Sequence, residues 1–86
     1  MKKIVLDSHA LHRVFQRAIS IGLAESDIEW RIKEAIISGY SPKKHRSKRY
    51  KVKCRYFLDN ISVYVIFRET NAVFIIKTII LEKGRE

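Results

Sequence analysis

Val52-Lys53-Cys54-Arg55-Tyr56-Phe57-Leu58-Asp59-Asn60-Ile61-Ser62-Val63-Tyr64-Val65-Ile66-Phe67 is the stretch that sets the architecture of this chain. β-Branched and aromatic residues dominate it, and its turn formers sit together at Asp59-Asn60, both of which tolerate positive φ. The expected structure is a hairpin with a two-residue turn between Leu58 and Ile61. Pairing outward sets Tyr56 opposite Val63, Cys54 opposite Val65 and Val52 opposite Phe67, an apolar face made to be buried. The other face then pairs Arg55 with Tyr64, Lys53 with Ile66 and Lys51 with Arg68. Side chains alternate along a strand, so a slip of one residue would exchange every face.

Downstream, the turn Glu69-Thr70-Asn71-Ala72 brings Val73 opposite Arg68 and opens a third strand of the meander. In that register Phe74, Ile76 and Thr78 face the core, and Ile75, Lys77 and Ile79 face away. Arg55, Tyr64 and Lys77 become neighbours across three strands, a face with cations beside an aromatic that suits RNA. Upstream, residues 41–53 form a basic segment with Lys43, Lys44, Arg46, Lys48, Arg49, Lys51 and Lys53, and His45 among them. With one proline and no apolar residue until Tyr50, it is expected to be an exposed, mobile loop in contact with phosphates.

The first forty residues read as a short strand and two helices. Ile4-Val5-Leu6 is a candidate edge strand. Asp7 and Ser8 are N-cap residues for a helix whose apolar side is Leu11, Val14, Phe15 and Ala18, ending at Gly22. Ser26-Asp27-Ile28-Glu29 has the Ser-x-x-Glu form of a capping box. The stripe Ile28, Ile32, Ala35, Ile36 defines the second helix and Gly39 its stop. Trp30 lies off that stripe, where it covers an edge of the core. On the first helix His9, Arg13 and Arg17 recur every four residues, so they drift only about 40° per step and form one row. That row points away from the apolar side.

The element order is therefore β-α-α-β-β-β, an α+β domain over residues 1–86 with two helices on one face of a small antiparallel sheet. Eighteen Lys and Arg against nine Asp and Glu give a formal charge of +9. A polyanion is the favoured partner, nucleic acid first and an acidic protein second, although basic ribosomal proteins share the profile. Cys54 is the only cysteine, which excludes an internal disulfide and argues for reducing cytosol. No apolar stretch reaches the length of a membrane span, and Met1-Lys2-Lys3 precedes too few apolar residues for a signal peptide. Without a cysteine cluster or a His-x-x-Glu-His arrangement, no metal or other cofactor is expected.

The residues His9-Ala10, Arg13, Arg17, Gly22-Leu23 and Ala24-Glu25-Ser26-Asp27-Ile28 resemble the opening of the small prokaryotic family called domain of unknown function 4258. Tyr50-Lys51-Val52, Val63-Tyr64-Val65 and a closing aliphatic step ending at Thr78 fit its second half, so the likeness covers about residues 8 to 80. One departure is that the Gly-aliphatic step comes about one helical turn later after Arg17 than is typical. The element order is also similar to the RelE-like toxins and the wider colicin D and barnase-like ribonucleases. The resemblance implies a metal-independent endoribonuclease, the toxin of a toxin–antitoxin pair, acting through the RNA 2′-hydroxyl and neutralised by an acidic antitoxin-like protein.

Such chemistry needs a base, an acid and cations for a crowded phosphorane. His9 is the acid/base candidate, because a free imidazole titrates near neutrality. Arg13 and Arg17 are placed to clamp a phosphate, Arg55 and Lys77 to stabilise its charge, and Tyr64 to stack a base or position an oxygen. Thr78 matches the late threonine of the family. His12 and His45 are weaker candidates. The helix row and the sheet face can share one site only if the first helix reaches past the sheet edge. The competing readings are a non-catalytic RNA-binding or ribosome-associated module, and an adaptor for an acidic protein.

Overall fold

The computed structural model describes residues 2–6, 8–43 and 48–85. The chain runs β1 (Lys3–Leu6), α1 (Ser8–Ser20), α2 (Glu25–Ser38), β2 (Lys51–Phe57), β3 (Ile61–Glu69) and β4 (Val73–Lys83). The four strands form one sheet in the order β1-β4-β3-β2, with both helices packed against it. This is the expected α+β order with the helices layered on a sheet, but the sheet is mixed. β2, β3 and β4 are an antiparallel meander, whereas β1 adds parallel to β4, with Leu6 beside Ile76.

Helix α1 stops where glycine permits it. Gly22 has φ +83°, Leu23 N–H donates to Ala18 O at 2.8 Å and Gly22 N–H to Ile19 O at 3.1 Å. These are the paired bonds of a Schellman turn, and its trailing residue Leu23 is buried. That turn feeds α2 directly, so the helix starts at Glu25 behind Ala24, which offers no side-chain cap. The capping box expected at Ser26 and Glu29 is thus not the helix start. The expected stripe is in place: Ile28, Ile32, Ala35 and Ile36 are buried with Val14 and Ala18 in one core. Trp30 is 46% exposed and sits edge-on to Phe57 at 5.3 Å, covering the core's margin.

The β2–β3 hairpin differs from expectation by one residue. Phe57 pairs with Ile61, so the turn is Leu58-Asp59-Asn60, closed by Asn60 N–H to Phe57 O at 3.0 Å. Only Asn60 has positive φ, +67°, the left-handed third residue of a three-residue hairpin loop. Val52 therefore lies opposite Ile66, Cys54 opposite Tyr64 and Tyr56 opposite Ser62. β3 keeps its expected faces, with Val63, Val65 and Phe67 in the core under the helices. β2 is reversed: Lys51, Lys53, Arg55 and Phe57 share the helix side, and Val52, Cys54 and Tyr56 the far side.

A second irregularity reverses the end of β4. Ile66 pairs with Thr78 but Phe67 pairs with Ile76, which leaves Lys77 as the extra residue of a β-bulge. Before it, Phe74 and Ile76 face the helices as expected. Beyond it, Ile79 and Leu81 take that face and Thr78 and Ile80 the other. Thr78 therefore does not point into the helix-side core, and Ile79 does.

At the chain's entry corner Glu69 joins three strands. It accepts from Lys2 at 2.6 Å and from Lys51 at 3.0 Å. The Lys2 bond first and the Lys51 bond second hold its carboxyl down to about 2 from an ordinary 4.5. A carboxyl depressed in this way stabilises the fold fully above its unfolded pKa, and the contribution is lost as pH falls through the folded one. The stability gap between wild type and Glu69→Gln should be open at neutral pH and close towards pH 2. Denaturant titrations across that range that showed a constant gap would refute the ion-pair account.

Candidate nucleic-acid interface

β1 covers only the first part of the outer edge of β4. Its pairing ends at Leu6 and Ile76, so residues 77–83 of β4 have β3 on one side and no strand on the other. α1 packs against this bare stretch. Arg17 Nε donates to Leu81 O at 3.3 Å, which satisfies an edge carbonyl with a helix side chain. Only three residues separate His9 from Leu6, a reach of at most about 11 Å. The His9 end of α1 therefore lies near Ile76 and Lys77, and the Arg17 end lies beside Leu81.

Lys77, the bulge residue, follows Ile76 on the same edge of β4. His9, Arg13 and Arg17 are all exposed, rising along α1 in steps of about 6 Å. Lys77, at the bulge, and Lys83, at the end of β4, are exposed too. α1 thus carries one imidazole and two guanidiniums on its exposed side, beside a stretch of β4 that α1 and not a further strand covers. Among the described residues the His9 side chain makes no hydrogen bond. Lys83 was not singled out in the sequence, since a terminal strand lysine carries no local signal.

The other proposed groups lie elsewhere. Arg55 and Tyr64 are on opposite faces, because the three-residue turn shifted β2 by one. Arg55 is bonded to Ser38 and lies 3.8 Å from Glu34, tying β2 to α2, and its guanidinium stacks over Phe57 at 5.6 Å. Tyr64 is 1% exposed, so it offers no ring for a base to stack on. Thr78 is half-buried on the far face, paired with Ile66. The three-strand platform of Arg55, Tyr64 and Lys77 therefore does not exist.

Of the basic segment, Lys43, Lys48 and Arg49 are exposed, whereas Lys44, His45 and Arg46 lie outside the described residues. Lys51 is held by Glu69, and Lys53 is half-buried on the helix side. Among the described residues no three His, Cys, Asp or Glu gather as a metal site requires. No helix there is long and apolar enough to cross a membrane, which says nothing of strand-built spans.

A tight charged pair that the sequence did not announce ties α2 to the hairpin. Arg31 is 6% exposed and forks onto both carboxylate oxygens of Asp59. Its guanidinium lies 4.8 Å from the Phe57 ring centroid and 5.3 Å from that of Trp30. The Arg31 hydrogen bond holds the Asp59 carboxyl below its usual value. These partners are 28 residues apart, beyond any local pattern.

The chain matches no family model, no curated protein and no solved structure.

Proposed function

We propose that the protein is a metal-independent endoribonuclease of the toxin kind, working at the α1–β4 edge. The observation that carries this reading is the exposed row of His9, Arg13 and Arg17 on the helix whose Arg17 clasps the β4 edge, in a chain of charge +9. The resemblance to domain of unknown function 4258 and to RelE-like toxins adds to it. In this mechanism the His9 imidazole takes the proton of an RNA 2′-hydroxyl. The 2′-oxygen attacks the adjacent phosphorus, the bond to the 5′-oxygen breaks, and that oxygen takes a proton from water, whose hydroxide takes the proton held on His9 and restores the neutral imidazole. The products are a 2′,3′-cyclic phosphate and a 5′-hydroxyl end. Arg13 and Arg17 grip the non-bridging oxygens, and Arg17 is pre-oriented by Leu81 O. Lys77 adds charge where the phosphorane forms. The setting is the cytoplasm, with RNA as substrate and a small acidic protein of the antitoxin kind as its inhibitor.

A second reading, a non-catalytic RNA-binding module, is favoured by one observation. No described side chain orients His9, and an acid/base histidine is normally held by a second group. The deciding experiment expresses wild type and His9→Ala in bacteria and maps new RNA 5′ ends. The endoribonuclease reading expects cleavage by wild type alone, with both proteins equally folded. Cleavage by both refutes the role of His9. RNA that co-purifies uncut with both establishes the binding module.

A further inference from the structure

On the helix side of the sheet the helices leave one corner uncovered. Ile4 and Leu6 are only half-buried there, at the margin of the core. Between them and α2 lies a cavity of about 480 Å³, with Ile4, Leu6 and Ile32 as its apolar lining and Lys2, Lys3, Lys33 and Glu29 around them. That volume lies in the range of built ligand pockets. Lys2 is engaged by Glu69 and by Thr70 O. Lys3 and Lys33 are exposed and have no ion-pair partner among the described residues. The cavity borders an outer strand, since β1 ends the strand order and has β4 on one side only.

We propose that the β1 edge and this cavity are a docking site for an extended acidic segment of a partner protein. The segment adds as a further strand beside β1, seats aliphatic side chains on Ile4, Leu6 and Ile32 on the helix side and sets its alternate carboxylates against Lys3 on the other face, with Lys33 at the cavity rim adding longer-range attraction. Adding a strand supplies main-chain hydrogen bonds, and the cavity reads alternate side chains. Charge selects the occupant. A second copy of this chain would bring lysines onto lysines, whereas an acidic strand neutralises them. An apolar lining gives a polynucleotide nothing that phosphate contacts do not already give. Glu29, four residues before Lys33 on α2, disfavours a carboxylate at its own position and so helps fix the register of the strand. The proposal takes up the acidic partner of the proposed function but is independent of RNA cleavage.

The test uses a fluorescein-labelled peptide of alternating glutamate and leucine, titrated into the full chain with anisotropy as the readout. The expected result is saturable binding, weakened at least tenfold by Lys3→Glu with Lys33→Glu and unchanged by Lys77→Ala. Two altered peptides separate the causes. Replacing the leucines by serine removes the cavity anchor, and N-methylating alternate amides removes the strand pairing with charge intact. Each should lose at least tenfold. Equal binding of the serine peptide would reduce the surface to a basic patch and overturn the proposal, as would equal binding of the N-methylated one. An RNA oligonucleotide that displaced the peptide from wild type, but not from an Arg13→Ala, Arg17→Ala protein, would assign the peptide to the α1 row instead. RNA cleavage by the Lys3→Glu, Lys33→Glu protein is followed separately, so the two readings fail independently.

Discussion

Gly39→Ala should cost the domain about 3 kcal/mol or more, a large share of its stability. Gly39 has φ −74°, which any residue adopts, so the need for glycine is one of space. A Cβ there would collide with Ala35 O and lie 2.6 Å from Cys54 O, both backbone atoms. The approach is enforced by the next residue, because Tyr40 and Cys54 exchange backbone hydrogen bonds of 2.9 and 2.8 Å on the outer edge of β2. Neither wall is a flexible side-chain tip. Overpacking usually costs about 1–3 kcal/mol, and backbone on both sides puts this site at or above the upper end. Domains of this size have only about 5–15 kcal/mol in total. Denaturant midpoints decide it: a variant within experimental error of wild type would mean that α2 and β2 are farther apart than described.

The Arg31–Asp59 pair should show a large asymmetry. Asp59→Ala leaves a guanidinium that is 6% exposed without its anion. Stripping one partner from a buried pair costs about 3–5 kcal/mol, and the partial exposure of Asp59 lowers the expectation to about 2–3. Arg31→Met removes the charge itself and fills the space between Trp30 and Phe57, so about 0–1 kcal/mol is expected. A cost for Arg31→Met equal to that of Asp59→Ala would rule out the buried-charge explanation. The Asp59 carboxyl is depressed by its Arg31 bond, so its contribution holds above its ordinary pKa of 3.8 and fades as pH falls through the lower, folded value.

The element order, the two helix stripes and the buried face of β3 were legible because each rests on a period: 3.6 for Ile28, Ile32, Ala35 and Ile36, and 2 for Val63, Val65 and Phe67. The register of β2 was not. Both of its faces carry apolar residues, Val52 and Cys54 on one and Phe57 on the other, so hydrophobic pattern does not choose between them. The choice fell to the turn, and there Leu58 looked like a strand residue. It is fully exposed, because Asp59 is drawn to Arg31 on α2 and Asn60 alone takes the left-handed position. A long-range ion pair thus sits within the longer turn, out of reach of any local pattern. The bulge at Lys77 was equally hidden, since Ile75, Ile76, Ile79 and Ile80 are apolar in either phase. The row on α1 was legible as a row. That it runs along the bare edge of β4 followed from the parallel pairing of β1, which no local spacing announces.

That parallel pairing also bears on how the chain folds as it is made. Lys3 lies against Val73, so β1 waits for its neighbour until 70 further residues have been joined. At about 5–20 residues per second the wait is roughly 4–14 s, far longer than a helix or hairpin takes to form. During that interval Ile4 and Leu6 have no sheet to join, and α1 lacks the β4 edge that Arg17 will clasp. The meander of β2, β3 and β4 needs only near neighbours and is the natural nucleus, with β1 the closing piece. Until it docks, Lys3 is the one charge on β1 that discourages its unpaired edge from joining another chain.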